Sequence, residues 1–100
     1  MKEVPGLYAD FRTRFPEIIE KNEELGRLVH DQGPLDEKTR ALVKIGIAAA
    51  SLHLTSVTTQ VTRAREAGAG EDEIMQALLL VIPTCGFPTF MQAYREYKGE

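Results

Sequence analysis

The sequence lacks the features that mark several common classes of protein. Its 100 residues include one cysteine, Cys85, which excludes an intramolecular disulfide framework and a cysteine-based zinc site and favours a reducing, cytoplasmic setting. The 12 Lys and Arg residues are fewer than the 15 Asp and Glu residues, and a net charge of -3 argues against the clustered basic face of a nucleic-acid-binding protein. The first residues, MKEVPG, contain no apolar run, so we expect no secretion signal.

Long hydrophobic runs are lacking as well. The stretch from Ile74 to Tyr94 carries no charge, but Pro83, Gly86 and Pro88 interrupt it. A membrane-spanning helix needs about 20 predominantly apolar residues in one piece. We therefore expect two short buried helices with a turn between them, and no membrane span.

What is present is the pattern of one small helical domain covering the whole chain. Hydrophobic residues make up 43% of it, which is normal for a globular protein. After a polar lead-in that ends at Pro5-Gly6, the apolar spacing predicts a short helix over Leu7–Arg14. Pro16 suits the first turn of a second helix, and Gly33-Pro34 is placed to end it.

The third helix is predicted to occupy the middle of the packing. Asp36 is a suitable N-cap for it, and the acidic Glu37 follows at once. Its triple alanine, Ala48–Ala50, allows close approach of neighbouring helices. Gly46 is unfavourable inside a helix by about 1 kcal/mol relative to alanine, so its presence indicates a tight contact.

The residues from Leu52 to Thr62 are locally ambiguous. They are rich in β-branched side chains, which favour a strand on propensity alone. Helical spacing of the apolar residues, and a glycine that suits a helix end at Gly68, favour a helix instead. We interpret the segment as a fourth helix with Thr55 or Ser56 as its cap.

The remaining residues complete an all-helical pattern. An acidic first turn after Gly70 suits the positive end of a helix dipole. Pro83 is predicted to end or kink that helix, and a final helix is predicted over about Phe87 to Tyr97. With no convincing strand and no repeat, the predicted fold class is all-α, with five to six short helices.

Several stretches together carry a family resemblance. They are LDEKTRALVKIGIAAA, a helix ending in AREAG, the acidic GAGEDEI and the turn Gly86-Phe87-Pro88. Over about Leu35 to Ala93 the sequence resembles the carboxymuconolactone decarboxylase and alkylhydroperoxidase-D-like (AhpD-like) proteins. The resemblance implies a helical subunit that assembles as a homotrimer or homohexamer.

The same resemblance implies where the chemistry would lie. In the peroxidase branch a Cys-x-x-Cys-x-x-x-His motif acts with a glutamate one helix earlier. Counting back from the helix-ending glycine, the two cysteine positions fall on His53 and Ser56, the histidine on Gln60 and the glutamate on Ala41. All four residues differ. Dithiol peroxide reduction needs a thiolate and a resolving thiol, so this activity is disfavoured. The decarboxylase branch lacks the cysteine pair but usually carries the histidine, which is also missing.

The candidate site therefore consists of His53, Ser56 and Gln60. Their i, i+3, i+7 spacing puts them on one helix face if the helix runs unbroken through them. They then either wall a polar pocket for a carboxylate or carbonyl, or satisfy one another or cap a helix inside a core or interface. His53 is the candidate acid or base because histidine titrates near neutral pH.

Other polar residues have simpler interpretations. His30 is predicted to be a surface residue near a helix end. Cys85 is predicted to be a buried, inert thiol, since free cysteine behaves as a small hydrophobe. Arg40 and Lys44 lie one turn apart and either attract an anion at a subunit boundary or are simply solvated.

Three functions remain open at this point. The first is an enzyme of the decarboxylase or lyase type that acts on a small carboxylate or lactone, with His53 as acid or base and with Ser56 and Gln60 orienting the substrate. The second is a non-catalytic homo-oligomer that binds a ligand or a partner. The third, a peroxidase, rests on analogy of fold alone. We expect no cofactor and no metal.

Overall fold

The computed structural model describes residues 6–99 of the chain. Contacts within the chain divide these residues into two units, residues 6–34 and residues 35–99. The predicted lead-in over residues 1–5 lies outside the described residues. All seven regular elements found in the described part are helical, and none is a strand. The predicted all-α fold class is therefore confirmed.

The first unit contains two helices. Helix α1 is Leu7–Arg14 and helix α2 is Pro16–His30, with the proline in its first turn as predicted. The chain can begin α1 tightly because Gly6 adopts a left-handed conformation with φ of 84°. An ion pair of 3.1 Å between Arg12 and Glu23 links the two helices.

The second unit contains the remaining five elements. They are α3 (Glu37–Ala50), α4 (Leu54–Glu66), α5 (Glu71–Leu79), α6 (Val81–Cys85) and α7 (Phe87–Lys98). Helix α3 contacts all four of the others, so its predicted place at the centre of the packing is confirmed. The Asp36 carboxylate caps it by accepting the backbone N–H of Thr39 at 2.8 Å, also as predicted.

One core joins these helices. It is built from side chains of α3, α4, α5 and α7, with one from α6: Ala41, Ile45, Ala48, Ala49, Val57, Val61, Ala64, Ile74, Leu78, Val81, Phe90 and Ala93. Three of the four core residues from α3 are alanines, which lets α4 approach it closely. Gly46 departs from the prediction of a tight contact. A Cβ there would lie 3.9 Å from the nearest atom, the Ala77 carbonyl oxygen, at ordinary van der Waals distance.

Helix α4 is a helix despite its β-branched composition. Two threonine hydroxyls donate to carbonyls one turn earlier, Thr59 to Thr55 and Thr62 to Thr58, so the helix itself provides their partners. The predicted cap is wrong. His53 occupies the N-cap position, because the chain turns sharply after α3 and the helix starts two or three residues earlier than the hydroxyl residues suggest.

The predicted effect of Pro83 also needs correction. Helix α5 already ends at Leu79, and Pro83 lies inside the five-residue α6. The Gly86 turn, with φ of 97°, then leads into α7. No helix within residues 6–99 is long and apolar enough to cross a membrane.

Three side chains tie α4, α5 and α7 together at one end of the second unit. The Arg65 guanidinium pairs with both carboxylate oxygens of Glu71, and the Tyr97 hydroxyl donates to the same carboxylate at 2.7 Å. The hydrogen bond from Arg65, followed by that from Tyr97, lowers the pKa of Glu71 from 4.5 to about 2.

This network predicts an acid-dependent loss of stability. Because the folded-state pKa of Glu71 lies below the unfolded value, its stabilising effect is present above about pH 4.5 and disappears as the pH falls toward 2. We expect Glu71→Gln to lower the melting temperature at pH 7. We also expect the melting temperature of this variant to fall less than that of the wild type between pH 4.5 and pH 2. Thermal unfolding followed by circular dichroism measures both effects. Replacement of the exposed Glu66 by Gln is the control, and an equally steep decline in both variants would contradict the prediction.

Candidate functional site

An open cleft lies between α3 and the start of α4. Its volume is about 250 Å³, and it is lined by Lys44, Ile47, Ala48, Ser51, His53, Ser56 and Gln60. The three residues singled out from the sequence all lie on it. The cleft belongs entirely to the second unit.

The turn between the two helices sets the shape of the cleft. Helix α3 ends at Ala50, and Leu52 adopts a left-handed conformation with φ of 58°, which is unusual for a residue other than glycine. The His53 N–H then donates to the Ala48 carbonyl at 2.9 Å, the bond that closes a helix in a Schellman-type turn. The turn reverses the chain, so Lys44 and Ser51 come from one side of the cleft and Ser56 and Gln60 from the other.

His53 and Ser56 are in direct contact. The distance from His53 Nδ1 to Ser56 Oγ is 2.5 Å. The condition for one shared helix face is not met, since His53 precedes α4 and only Ser56 and Gln60 lie within it. The suggestion that the polar groups satisfy one another therefore holds for His53 and Ser56.

Gln60 has a different environment. Its side chain is buried, with 8% of the residue exposed, yet it lines the cleft. Within the described residues no protein group hydrogen-bonds its amide, and no fully buried side-chain nitrogen or oxygen lacks a partner. The Gln60 amide must therefore reach the cleft, where it is available to a ligand.

Lys44 brings positive charge to the cleft. Partial burial lowers its pKa, and the positive charges of Arg63 and Arg40 lower it further. An anion near Lys44 would relieve that repulsion. Of the basic pair noted in the sequence, only Lys44 lines the cleft, because the Arg40 guanidinium donates to the Leu35 carbonyl at 2.6 Å.

Ser51 is a lining residue that sequence reasoning missed. Its hydroxyl donates to the Ile47 carbonyl at 2.8 Å, so it closes the end of α3. The available signal was its position seven residues after Lys44, which places both on one side of α3.

Three other residues singled out from the sequence lie away from the cleft. Ala41, at the glutamate position of the peroxidase motif, is buried in the core. Cys85 ends α6 and is exposed, so the prediction of a buried thiol is wrong: the turn at Gly86 leaves it at the surface. His30 Nδ1 contacts the Gly26 carbonyl of its own helix at 2.6 Å.

Among residues 6–99, no three His, Cys, Asp or Glu side chains are grouped so that they could hold a metal ion.

Comparisons with known proteins give a family for the chain. A family model described as the carboxymuconolactone decarboxylase family matches residues 16–98. An uncharacterized protein of Methanocaldococcus jannaschii, MJ0742, is 29% identical over 85 residues, which cover 84% of this chain and 82% of that protein. No solved structure matches the chain significantly. Because the family model spans most of the sequence, this chain belongs to the carboxymuconolactone decarboxylase family.

Proposed function

We propose that the cleft between α3 and α4 binds a small carboxylate or lactone and that the protein acts on it without thiol redox chemistry. The observation that carries the proposal is the convergence of four polar side chains, Lys44, His53, Ser56 and Gln60, on one cleft of about 250 Å³. Sites for drug-sized ligands usually measure about 300–1,000 Å³, so a smaller molecule suits this one.

Each polar group has a defined part in this proposal. The Lys44 ammonium lines the cleft and attracts the carboxylate, and the nearby positive charges of Arg63 and Arg40 add to that attraction. The Gln60 amide hydrogen-bonds a carbonyl or hydroxyl of the ligand. His53 is positioned to exchange a proton through its contact with Ser56. Apolar Ile47 and Ala48 provide the contact surface for the carbon skeleton.

The exclusion of dithiol chemistry is also a proposal. A peroxide-reducing cycle needs an attacking thiolate and a second thiol to resolve the sulfenate. The chain has one cysteine, and Cys85 does not line the cleft. A single thiol also suits the reducing, cytoplasmic setting that we propose for the protein.

A second candidate is a non-catalytic homo-oligomer that binds a ligand or a partner. It is favoured by the apolar residues that the second unit leaves exposed on α3, at and just after the end of α5, and at the start of α7: Val43, Ile47, Leu79, Leu80 and Phe87. Part of this surface borders a groove of about 360 Å³ between α3 and α5. Turnover of a bound lactone or carboxylate separates the two candidates, because the second one binds without converting its ligand.

The proposed cleft predicts charge-dependent ligand binding. We expect succinate, benzoate or a carboxylated γ-lactone to shift the amide resonances of α3 and the first turns of α4 in a titration followed by NMR. Lys44→Met should raise the dissociation constant by about tenfold or more, because a hydrogen bond to a charged group contributes roughly 1.5–3 kcal/mol. Gln60→Leu should weaken binding of the lactone while preserving side-chain volume.

The matched control is Lys98→Met, which removes the same charge from the end of α7, outside the cleft. It should leave the dissociation constant unchanged. Equal weakening by both lysine variants would indicate attraction to overall charge rather than a site. Shifts confined to other surfaces would place the ligand elsewhere and contradict the proposal.

The absence of a thiol pair predicts no peroxidase turnover. Consumption of hydrogen peroxide and of an alkyl hydroperoxide, with a dithiol reductant in excess, should match a protein-free control. The exposed Cys85 allows one slow stoichiometric oxidation, visible by mass spectrometry and lost in Cys85→Ser. Multiple turnovers that disappear in Cys85→Ser would overturn this part of the proposal.

The exposed apolar surface predicts a homo-oligomer, which we propose to be a homotrimer or homohexamer. Burial of such a surface contributes roughly 25 cal/mol per Å². Light scattering after gel filtration should give a multiple of the 11.1 kDa chain mass, and Leu80→Glu should lower that multiple by placing a charge in the interface. Thr62→Glu, at an exposed position of α4, is the control. A wild-type protein of monomer mass at micromolar concentration would contradict the expectation.

A further inference from the structure

The contact between His53 and Ser56 has the arrangement of a base and the nucleophile that it activates. We propose that Ser56 Oγ is the nucleophile of an acyl-transfer reaction, with His53 as its base, and that the substrate is a small lactone or ester that carries a carboxylate. This inference rests on the cleft and the ligand class of the proposed function, and it adds the reaction.

The two atoms lie within hydrogen-bonding distance, and one tautomer of His53 gives the direction that activation of Ser56 requires. His53 Nδ1 and Ser56 Oγ are 2.5 Å apart. When the neutral imidazole carries its hydrogen on Nε2, Nδ1 is an acceptor and the serine O–H donates to it. This is the geometry in which a histidine withdraws the proton from a hydroxyl nucleophile.

The pair differs from an ordinary helix cap. In a capping box, the side chains at the N-cap and at the third helical residue each accept a backbone N–H of the other residue. His53 and Ser56 hold these two positions, but the His53 side chain makes no capping hydrogen bond. The two side chains bond to each other instead, and both line the cleft.

The cleft also supplies the other groups that acyl transfer requires. The Gln60 amide is the donor available for the oxyanion, because no group among the described residues forms a hydrogen bond with it. Lys44 is placed to hold the substrate carboxylate. Ser51, the chain's other serine, is committed to helix carbonyls and has no histidine partner in the described residues.

The reaction balances with water as the co-reactant. Ser56 Oγ forms a bond to the carbonyl carbon, its proton passes to His53 Nδ1, and the carbonyl electron pair moves to oxygen. The ring or ester C–O bond then breaks, and the leaving oxygen takes the proton from His53. Water attacks the acyl-serine and gives a proton to His53, which returns it to Ser56 Oγ as the acid leaves. A lactone and water thus give a hydroxy acid, with no oxidation or reduction.

Covalent trapping tests the assignment on the full-length protein. A fluorophosphonate probe should add once, and peptide mapping should place the adduct on Ser56. Ser56→Ala should abolish labelling, and His53→Asn should lower its rate by about a hundredfold or more, which is the usual contribution of a general base. Thr59→Ala removes a neighbouring hydroxyl of α4 that lies outside the cleft, and it should label like the wild type.

The carboxylate titration of the same samples separates this inference from the proposed function. Ser56→Ala should still bind the carboxylate, which also shows that the variant folds. Carboxylate binding by a wild-type protein that resists the probe would overturn the nucleophile assignment and leave the proposed function standing. An adduct on Ser51, or labelling that His53→Asn leaves unchanged, would overturn it equally. Failure of both binding and labelling would remove both proposals.

Discussion

The close packing of α3 against its neighbours is the constraint on which the second unit depends. Ala41, Ala48 and Ala49 are buried on α3, and their small side chains let α4 approach the backbone while α5 and α7 pack on the same helix. Protein interiors are packed like crystals of small molecules, so a larger side chain at such a position forces its neighbours apart. Ile45 then fills the space that the alanines leave, and it is fully buried.

The same shortage of large side chains on α3 creates the cleft. Near the end of α3, the residues that face the start of α4 are Ala48 and part of Ile47. A space therefore remains between them and the side chains of Ser56 and Gln60. A buried amide is expensive unless it is hydrogen-bonded, at roughly 1–3 kcal/mol in mutational data. Gln60 avoids that penalty by reaching the cleft. Core packing and the polar site are thus two results of one alanine-rich helix.

The extent to which the sequence predicts this structure depends on how local the signals are. The Asp36 cap, the start of α2 at Pro16 and the central place of α3 follow from one residue or one helical turn, and they were predictable. The start of α4 was not predictable, because it depends on a left-handed conformation at Leu52. Leucine rarely adopts this conformation, so the residue type gives no signal for the turn. The exposure of Cys85 depends in turn on how α6 meets the Gly86 turn. His53, Ser56 and Gln60 were grouped by their positions relative to the helix-ending glycine in the family motif, whereas Lys44 joins them through the packing of two helices.

The turn at Ser51–His53 has a consequence for the order in which the molecule assembles. His53 and Ser56 are three residues apart, so their contact closes almost no loop and can form as soon as the first turn of α4 does. Lys44 and Gln60 lie on opposite sides of the turn, so they line the same cleft only after α3 and α4 have docked. Contacts between residues close in sequence form in the fastest steps of folding, whereas contacts between residues far apart in sequence form only after the chain has collapsed. The pair would therefore form before the cleft that it lines, and the docking of the two helices would be the step that adds Lys44 and Gln60 to a local hydrogen bond.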